Sequence, residues 1–250
     1  MTATLAAVIL AKNEEDNIVD CISSVQWVDR VVVFDSYSQD RTVSLAKSAG
    51  ADVIQHPFEN YAQQRNAALD AVDAEWILFV DADERSSPEQ AAEIRVLLSN
   101  TRHNGYWIPR HNYIFGKLTR HTGWYPDYQM RLLRRGYAHY DPTRQVHELV
   151  VLEGEPGYLT VPFTHFNYQS FRQFREKQNR YVRYDAQILK DQGIRPKPHK
   201  FITQPLRQFL WRYITLQGYR DGLHGLRLSL LMAWYELQKY IHLRRLYHDS

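Results

Sequence analysis

A chain of 250 residues has room for one full α/β domain and a short appendage, and its 44% hydrophobic content excludes a disordered protein. Its single cysteine, Cys21, excludes an internal disulfide or a cysteine metal cluster and fits a reducing compartment. The net charge of +3 conceals an asymmetry: residues 1–165 carry 15 Lys+Arg against 22 Asp+Glu, whereas residues 166–250 carry 16 against 6.

The first hundred residues alternate strand and helix. Leu5–Ala11 is an apolar run of strand length, and Asn13 is placed to cap a following helix. No basic segment precedes the run, which leads into Lys12-Asn13-Glu14-Glu15, so it does not read as a signal peptide and the cytoplasm is expected. Arg30–Asp35 is a β-branched strand ending in a carboxylate, and Asp40 caps a helix that stops at Gly50. Residues 51–56 read as a third strand, Asn60 opens a helix with a capping-box spacing to Gln63, and residues 75–80 form a buried strand leading to Asp81. Ser87-Pro88-Glu89-Gln90 starts another helix. Such alternation predicts a parallel sheet covered on both faces, with ligands at the carboxyl ends of the strands.

Beyond Asn100 the period changes. Residues 105–165 are rich in Tyr, Trp and Gly, with breaks expected at Gly116, Gly123, Gly136 and Gly157, so a more antiparallel region is predicted. Residues 170–189 read as a helix, 191–205 with three prolines as a linker, and the remainder as helices near 206–218 and 223–246. The implied organisation is a catalytic domain over 1–190, a linker over 191–205 and a basic amphipathic tail over 206–250. Its apolar stripes bear Trp and Tyr flanked by Arg and Lys, which suits either an anionic membrane interface or packing against the domain or a second subunit. Charge alone would permit nucleic acid, but no nucleic-acid-binding motif or aromatic platform accompanies it, so none is expected as a partner.

Acidic residues fall at the predicted strand ends: Glu14 and Glu15 after the first, Asp35 on the second, Asp81-Ala82-Asp83 after the fourth. Residues i and i+2 of an extended or turning segment offer a divalent cation two hard oxygens and leave room for a diphosphate. With 16 Asp in 250 residues, chance gives roughly one such pair, so the weight lies in its position beyond an apolar strand, where a carboxylate has no packing purpose.

The ordered segments A-K-N-E-E (11–15), V-V-V-F-D-S-Y-S-Q-D-R-T (31–42), Q-R-N-A-A-L (64–69) and F-V-D-A-D-E (79–84) resemble family 2 glycosyltransferases of the GT-A fold. With W-Y-P-D-Y-Q-M-R-L-L-R-R (124–135) and V-H-E (146–148), the chain is similar to the bacterial lipopolysaccharide-core β-glucosyltransferase group. The resemblance implies a Rossmann-like nucleotide-binding sheet flanked by helices, with a C-terminal helical extension. It implies a nucleotide-sugar donor, a UDP-sugar by preference, and a glycolipid or lipopolysaccharide-core acceptor at the inner face of the cell membrane. Carried over by residue, Ala11, Asn13 and Glu14 border the nucleotide and Asp35 accepts from uracil or ribose. Arg65 and Asn66 lie near base and diphosphate, Asp81 supports the donor sugar or ribose, and Asp83 ligates Mg²⁺ or Mn²⁺, with Asp81 beside it. Tyr37 stands where this turn commonly has glycine.

Inverting transfer needs a base for the acceptor hydroxyl. Glu148 is the first candidate and Asp127 the second, each of which would otherwise pair with Arg131, Arg134 or Arg135. His147 or His165 would complete the metal shell or touch the diphosphate. Arg131 is a candidate for diphosphate or acceptor contact, with an ion pair as its alternative, and Trp124 for sugar stacking, with a core role as its alternative. Two other functions share parts of this pattern. A metal-dependent nucleotidyltransferase would carry a Gly-rich basic loop after the first strand, and a non-catalytic scaffold would not keep Asp81, Asp83 and Glu148.

Overall fold

The computed structural model describes residues 3–142 and 149–248. The alternation expected of the first half is present as β1 (Leu5–Ala11), α1 (Ile18–Val25), β2 (Arg30–Asp35), α2 (Thr42–Ser48), β3 (Asp52–Gln55), α3 (Tyr61–Ala71) and β4 (Trp76–Asp81). There follow β5 (Glu84–Arg85), α4 (Pro88–Leu98), β6 (Gly105–Ile114), β7 (Lys117–Thr119), β8 (Asp127–Arg134) and β9 (Ala138–Tyr140). Next come β10 (Val150–Leu152), β11 (Gly157–Tyr158), β12 (Phe163–Tyr168) and the helices α5 (Phe171–Asp191), α6 (Lys200–Leu210) and α7 (Gly222–His248). A π-helical turn, Trp211–Thr215, extends α6, and a 3₁₀ turn, Gly218–Asp221, precedes α7.

The principal sheet runs β3-β2-β1-β4-β8-β6-β12-β5, with β7 and β11 also paired to β6, and β9 and β10 form a separate antiparallel pair. β1, β2, β3 and β4 are parallel, whereas β8 runs antiparallel to both β4 and β6. The chain thus winds outward from β1 to β3 and returns through α3 to place β4 on the other flank of β1. That reversal opens a crevice at the carboxyl ends of β1 and β4. There the register sets Ala11 opposite Asp35, and Leu10 opposite Asp81.

The chain divides into two compact units, residues 1–110 with 127–165 and residues 111–126 with 166–250. In the first, successive side chains of β1 enter two cores. Leu5, Ala7, Ile9 and Ala11 pack with Ile18, Ile22, Leu78 and Ile94. Ala6, Val8 and Leu10 pack with Phe34, Ala68, Leu69 and Phe79. A strand buried on both faces has no polar alternation to display, which is why β1 reads as an unbroken apolar run. Asn60 and Ser87 cap α3 and α4 as the spacing predicts, accepting from Gln63 N at 2.9 Å and Gln90 N at 3.2 Å.

The second unit is largely helical. Ser170 and Gln173 close a capping box at the start of α5, and α7 packs along both α5 and α6. Ile114, Tyr168, Phe174, Val182, Leu228 and Tyr235 form its main core, and Ala186, Tyr240 and Leu243 a second cluster. Gly225 is required where α7 begins: a Cβ there would lie 1.9 Å from the Gly218 carbonyl oxygen.

The expected boundaries shift in three places. The linker shortens to residues 192–199, because α6 begins at Lys200 and runs through Pro205. Pro205 stands inside the helix, where a proline removes one backbone bond, and the apolar stripe continues past it. Gly157 is a strand residue, paired to Tyr106, and not a break. Asn13 does not cap α1, which starts at Ile18; it takes φ +56°, a left-handed conformation that asparagine tolerates.

Candidate active site

The site grows from three strand ends in the first unit. After β1, Asn13 donates its backbone N–H to Ser38 Oγ at 2.9 Å and accepts from Gln39 N at 2.8 Å. Glu14 N donates to Thr42 Oγ1 at 2.8 Å, and Glu15 N to Asp40 Oδ2 at 3.1 Å. The two loops are thereby laced together. Asp40 also accepts from Thr42 N at 2.9 Å, a turn bond just ahead of α2, whose cap position is Arg41 and not Asp40 as the sequence predicts. Tyr37, in the turn after β2, has φ +55°, so the position where glycine is common does adopt the conformation glycine favours.

Asp35 is fully buried. Its Oδ2 accepts from Ser38 N at 3.0 Å and from Gln55 Nε2 at 3.0 Å, and its Oδ1 from the Ser38 hydroxyl. It therefore organises the turn beneath the crevice.

At the end of β4, Asp81 and Asp83 have separate surroundings. Asp81 Oδ1 accepts from Arg65 Nη2 at 3.1 Å and Oδ2 from Arg131 Nη2. Arg65 and Arg131 are almost wholly buried, at 5% and 4% exposure. Burial alone would push the Asp81 carboxyl up, but Arg131, Arg65 and Arg110 outweigh it and hold the group well below the usual carboxylate range. The same ion pairs, with Glu84, raise Arg131 against its burial. Arg131 thus takes the ion-pair role. Arg65 in addition lies over the rings of Phe79 and Tyr140, at 5.8 and 5.5 Å.

Asp83 lies beside His165, with Oδ2 3.4 Å from Nε2. The Asp83 side chain is one-third exposed and the imidazole nearly buried. Glu14 borders the same acidic region: burial raises its carboxyl, Asn17 opposes that rise through a 2.8 Å hydrogen bond, and Asp83, Asp40 and Asp81 reinforce it. Among the described residues no group of three or more His, Cys, Asp and Glu side chains could hold a metal ion alone. One carboxylate with an imidazole beside it leaves most of a divalent ion's shell to diphosphate oxygens and water. The residues present fit such a shared cation and do not fit an all-protein cage.

Glu84 and Arg110, neither of them expected in the site, link the cluster. Glu84 is completely buried, accepts from Asp81 N at 3.0 Å and from Arg110 Nη1 at 3.1 Å, and stands 3.6 Å from Arg131 Nη2. Its place directly after the Asp-x-Asp spacing was the available signal; Arg110, on a distant strand, offered none. Arg85 braces the turn by donating to the Ala82 and Glu84 carbonyls at 2.7 and 2.8 Å and to the Asn17 carbonyl at 3.1 Å.

Several expected roles are revised. The ion-pair partner of Asp127 is Arg110, not Arg131, Arg134 or Arg135: Arg110 donates to Asp127 Oδ2 through Nε at 3.0 Å and Nη2 at 2.6 Å, and Gln129 donates to Oδ1 at 3.1 Å. Asn66 is engaged with the backbone of Tyr140, donating to its carbonyl at 2.8 Å and accepting from its N–H at 2.7 Å. Both ends of the amide thus pair with strand backbone. Trp124 is partly buried and packs against the core of the second unit, edge-on to Tyr168 at 5.9 Å and with the Arg212 guanidinium 5.9 Å from its ring. His147 and Glu148 lie outside the described residues. A cavity of about 500 Å³ in the first unit, walled by Leu69, Asp70, Arg135, His139 and Leu152 among others, includes none of the strand-end carboxylates.

The pattern of the family described as Glycosyl transferase family 2 matches residues 6–151. The lipopolysaccharide core biosynthesis glycosyltransferase LpsC of Rhizobium meliloti (strain 1021) is 31% identical over 233 residues, covering 88% of this chain and 84% of its own. An uncharacterized glycosyltransferase of Rickettsia bellii (strain RML369-C) is 28% identical over 269 residues, covering 98% of this chain and 88% of its own. Among solved structures, glucosyl-3-phosphoglycerate synthase of Mycobacterium tuberculosis, in complex with Mn²⁺, uridine diphosphate and glucosyl-3-phosphoglycerate, is similar with a TM-score of 0.37 and 23% identity. That similarity covers 44% of this chain and 44% of the solved one. The winding of the parallel sheet, the strand-end carboxylates and the match over residues 6–151 agree: the chain belongs to glycosyl transferase family 2, a glycosyltransferase of the GT-A fold with a C-terminal helical extension.

Proposed function

We propose that this enzyme transfers a sugar, with inversion, from a nucleoside-diphosphate donor, a UDP-sugar by preference, to a membrane-borne acceptor of the glycolipid or lipopolysaccharide-core type. The observation that carries the reading is the division of labour at the end of β4, where Asp81 is held by two buried guanidiniums while Asp83 stands with His165 at the crevice. The relative named for lipopolysaccharide core biosynthesis supports the acceptor class. A peripheral position at the inner face of the cell membrane goes with such an acceptor.

In this reading Asp83 and His165 hold the divalent cation, Mg²⁺ or Mn²⁺, which when bound offsets charge on the departing diphosphate. Arg65 and Arg131 fix Asp81 so that its outer edge faces the donor ribose or sugar. Asn13, Glu14 and Asp35 shape the two loops that border the nucleotide. Glu148 takes the proton of the acceptor hydroxyl. Asp127 is the weaker candidate, because Arg110 already occupies its Oδ2 with two hydrogen bonds.

Thermal denaturation with UDP, with and without Mn²⁺, tests the donor side. UDP is expected to raise the melting temperature only when Mn²⁺ is present, and Asp83→Asn to abolish that rise. A rise with NAD, or one indifferent to metal, would sink the reading. On the acceptor side, Glu148→Gln is expected to abolish transfer while UDP binding survives. Normal turnover in that variant, with loss in Asp127→Asn, would exchange the two carboxylates.

A further inference from the structure

The segment 192–220 has a composition that nothing in the catalytic chemistry requires. It holds six basic residues, Arg195, Lys197, Lys200, Arg207, Arg212 and Arg220, and no Asp or Glu. Its structured part, α6 with the π turn, contains no buried residue. Yet its apolar side chains are large: Ile202 is 73% exposed, Leu206 54%, Leu210 47%, Trp211 45% and Ile214 54%.

These residues are not scattered. At 100° per residue Ile202, Leu206 and Leu210 fall within about 80° of arc, with Ile214 next and Trp211 at the margin. The opposite side of the helix carries Phe201, which meets Tyr240 of α7 at 6.2 Å. α6 therefore turns one apolar face to its own unit and a second to solvent. Exposed Arg207 lies within the outer face, whereas the Lys200 ammonium is turned to the unit's own core, 6.0 Å from the Tyr240 ring.

We infer that α6 and its π turn lie in the interface of an anionic lipid bilayer, with Ile202, Leu206, Leu210 and Ile214 among the acyl chains and Trp211 at the headgroup level. Arg207 and the exposed Arg195 and Lys197 of 192–199 sit against lipid phosphates. A helix with this charge and this face partitions about 5–10 Å into the headgroup boundary, and tryptophan favours that depth. The occupant follows from the charge. A second copy docked through the same face would set two acid-free basic segments against one another, which like-charge repulsion opposes. An anionic surface satisfies both the stripe and its flanks. No helix among the described residues is long and apolar enough to cross a membrane, so the contact is interfacial.

The purpose of this surface rests on the lipid-borne acceptor proposed above; its existence does not. The test uses the full chain, sedimented with vesicles of phosphatidylcholine alone and of phosphatidylcholine mixed with phosphatidylglycerol. Binding is expected for the mixed vesicles only, and Leu206→Glu/Leu210→Glu is expected to weaken it about tenfold or more with melting temperature unchanged. Transfer to a water-soluble acceptor analogue is expected to persist in that variant, which separates failure of the surface from failure of the catalytic reading. Should the variant not fold, quenching of the wild-type tryptophan fluorescence by bromine-labelled lipid, and its reduction in Trp211→Phe, decides the matter. No binding to mixed vesicles, equal binding by the variant, or a dimer that the variant loses would each overturn the proposal.

Discussion

Asp81 and Asp83 are two residues apart and identical in chemistry, yet their environments assign them different work. Asp81 neutralises Arg65 and Arg131, both buried. Removing one partner of a buried pair leaves an uncompensated charge, at a cost of about 3–5 kcal/mol. The low end applies here, because Asp81 is one-third exposed and Glu84 stays beside Arg131. Asp81→Asn is therefore expected to destabilise the fold by about 3 kcal/mol, read from urea or thermal melts. Asp83 supports no such pair, and its substitution by Asn is expected to change stability by less than about 0.5 kcal/mol. Turnover should nonetheless fall about 10²–10³-fold, the scale of losing one electrostatic contact in a transition state. Equal destabilisation by the two substitutions would mean that the assignments are mistaken.

At the scale of elements, the second unit carries a pH dependence of its own. Burial, aided by Arg120, holds the His111 imidazole below its ordinary value, and burial with Arg245 and Arg183 does the same for His242. His224 is lowered by burial, Lys117 and Arg227 against the opposing pull of Asp221. A histidine lowered in the folded state binds fewer protons there than in the unfolded chain. Its stabilisation is complete above the unfolded value of 6.5 and is lost as pH falls below it toward the folded value. The melting temperature should accordingly decline as pH drops from about 7.5 to about 5, and His224→Gln/His242→Gln should flatten the decline. An unchanged slope in that double variant would refer the effect elsewhere.

What the sequence disclosed about these elements follows from how each is stabilised. β1, β2 and β4 are apolar on both faces, so a local window contains their whole signal. Asn60 and Ser87 accept from backbone three residues away, and local spacing reveals them equally well. β5 is two residues long and exists through pairing with β12, some 80 residues away in sequence. Arg110 joins the site only because β6 pairs with β8 and brings it beside Asp127. Asn66 looked like a ligand because an amide on a helix near the crevice serves a nucleotide or a strand backbone equally well. Non-local pairing, invisible to a window, decided each of these.

At the scale of the whole molecule, the residues after 206 looked like an appendage, since their composition is basic and amphipathic. Their packing gives them a second role. Leu228, Tyr235, Tyr240 and Leu243 are all buried, and they share cores with Phe174, Val182 and Ala186 of α5. Burying each large apolar side chain contributes about 1.5–3 kcal/mol, so these four together approach the 5–15 kcal/mol that is the total stability of a typical domain. Ending the chain before residue 206 is thus expected to unfold the second unit and expose Phe174, not merely to release the protein from vesicles. A protease nick within 192–199 removes none of those contacts, and the fragments are expected to remain associated in gel filtration and to melt as one species. If the truncated chain instead melts like the intact protein, the terminal helix is dispensable to the core and the view of a separate tail is restored.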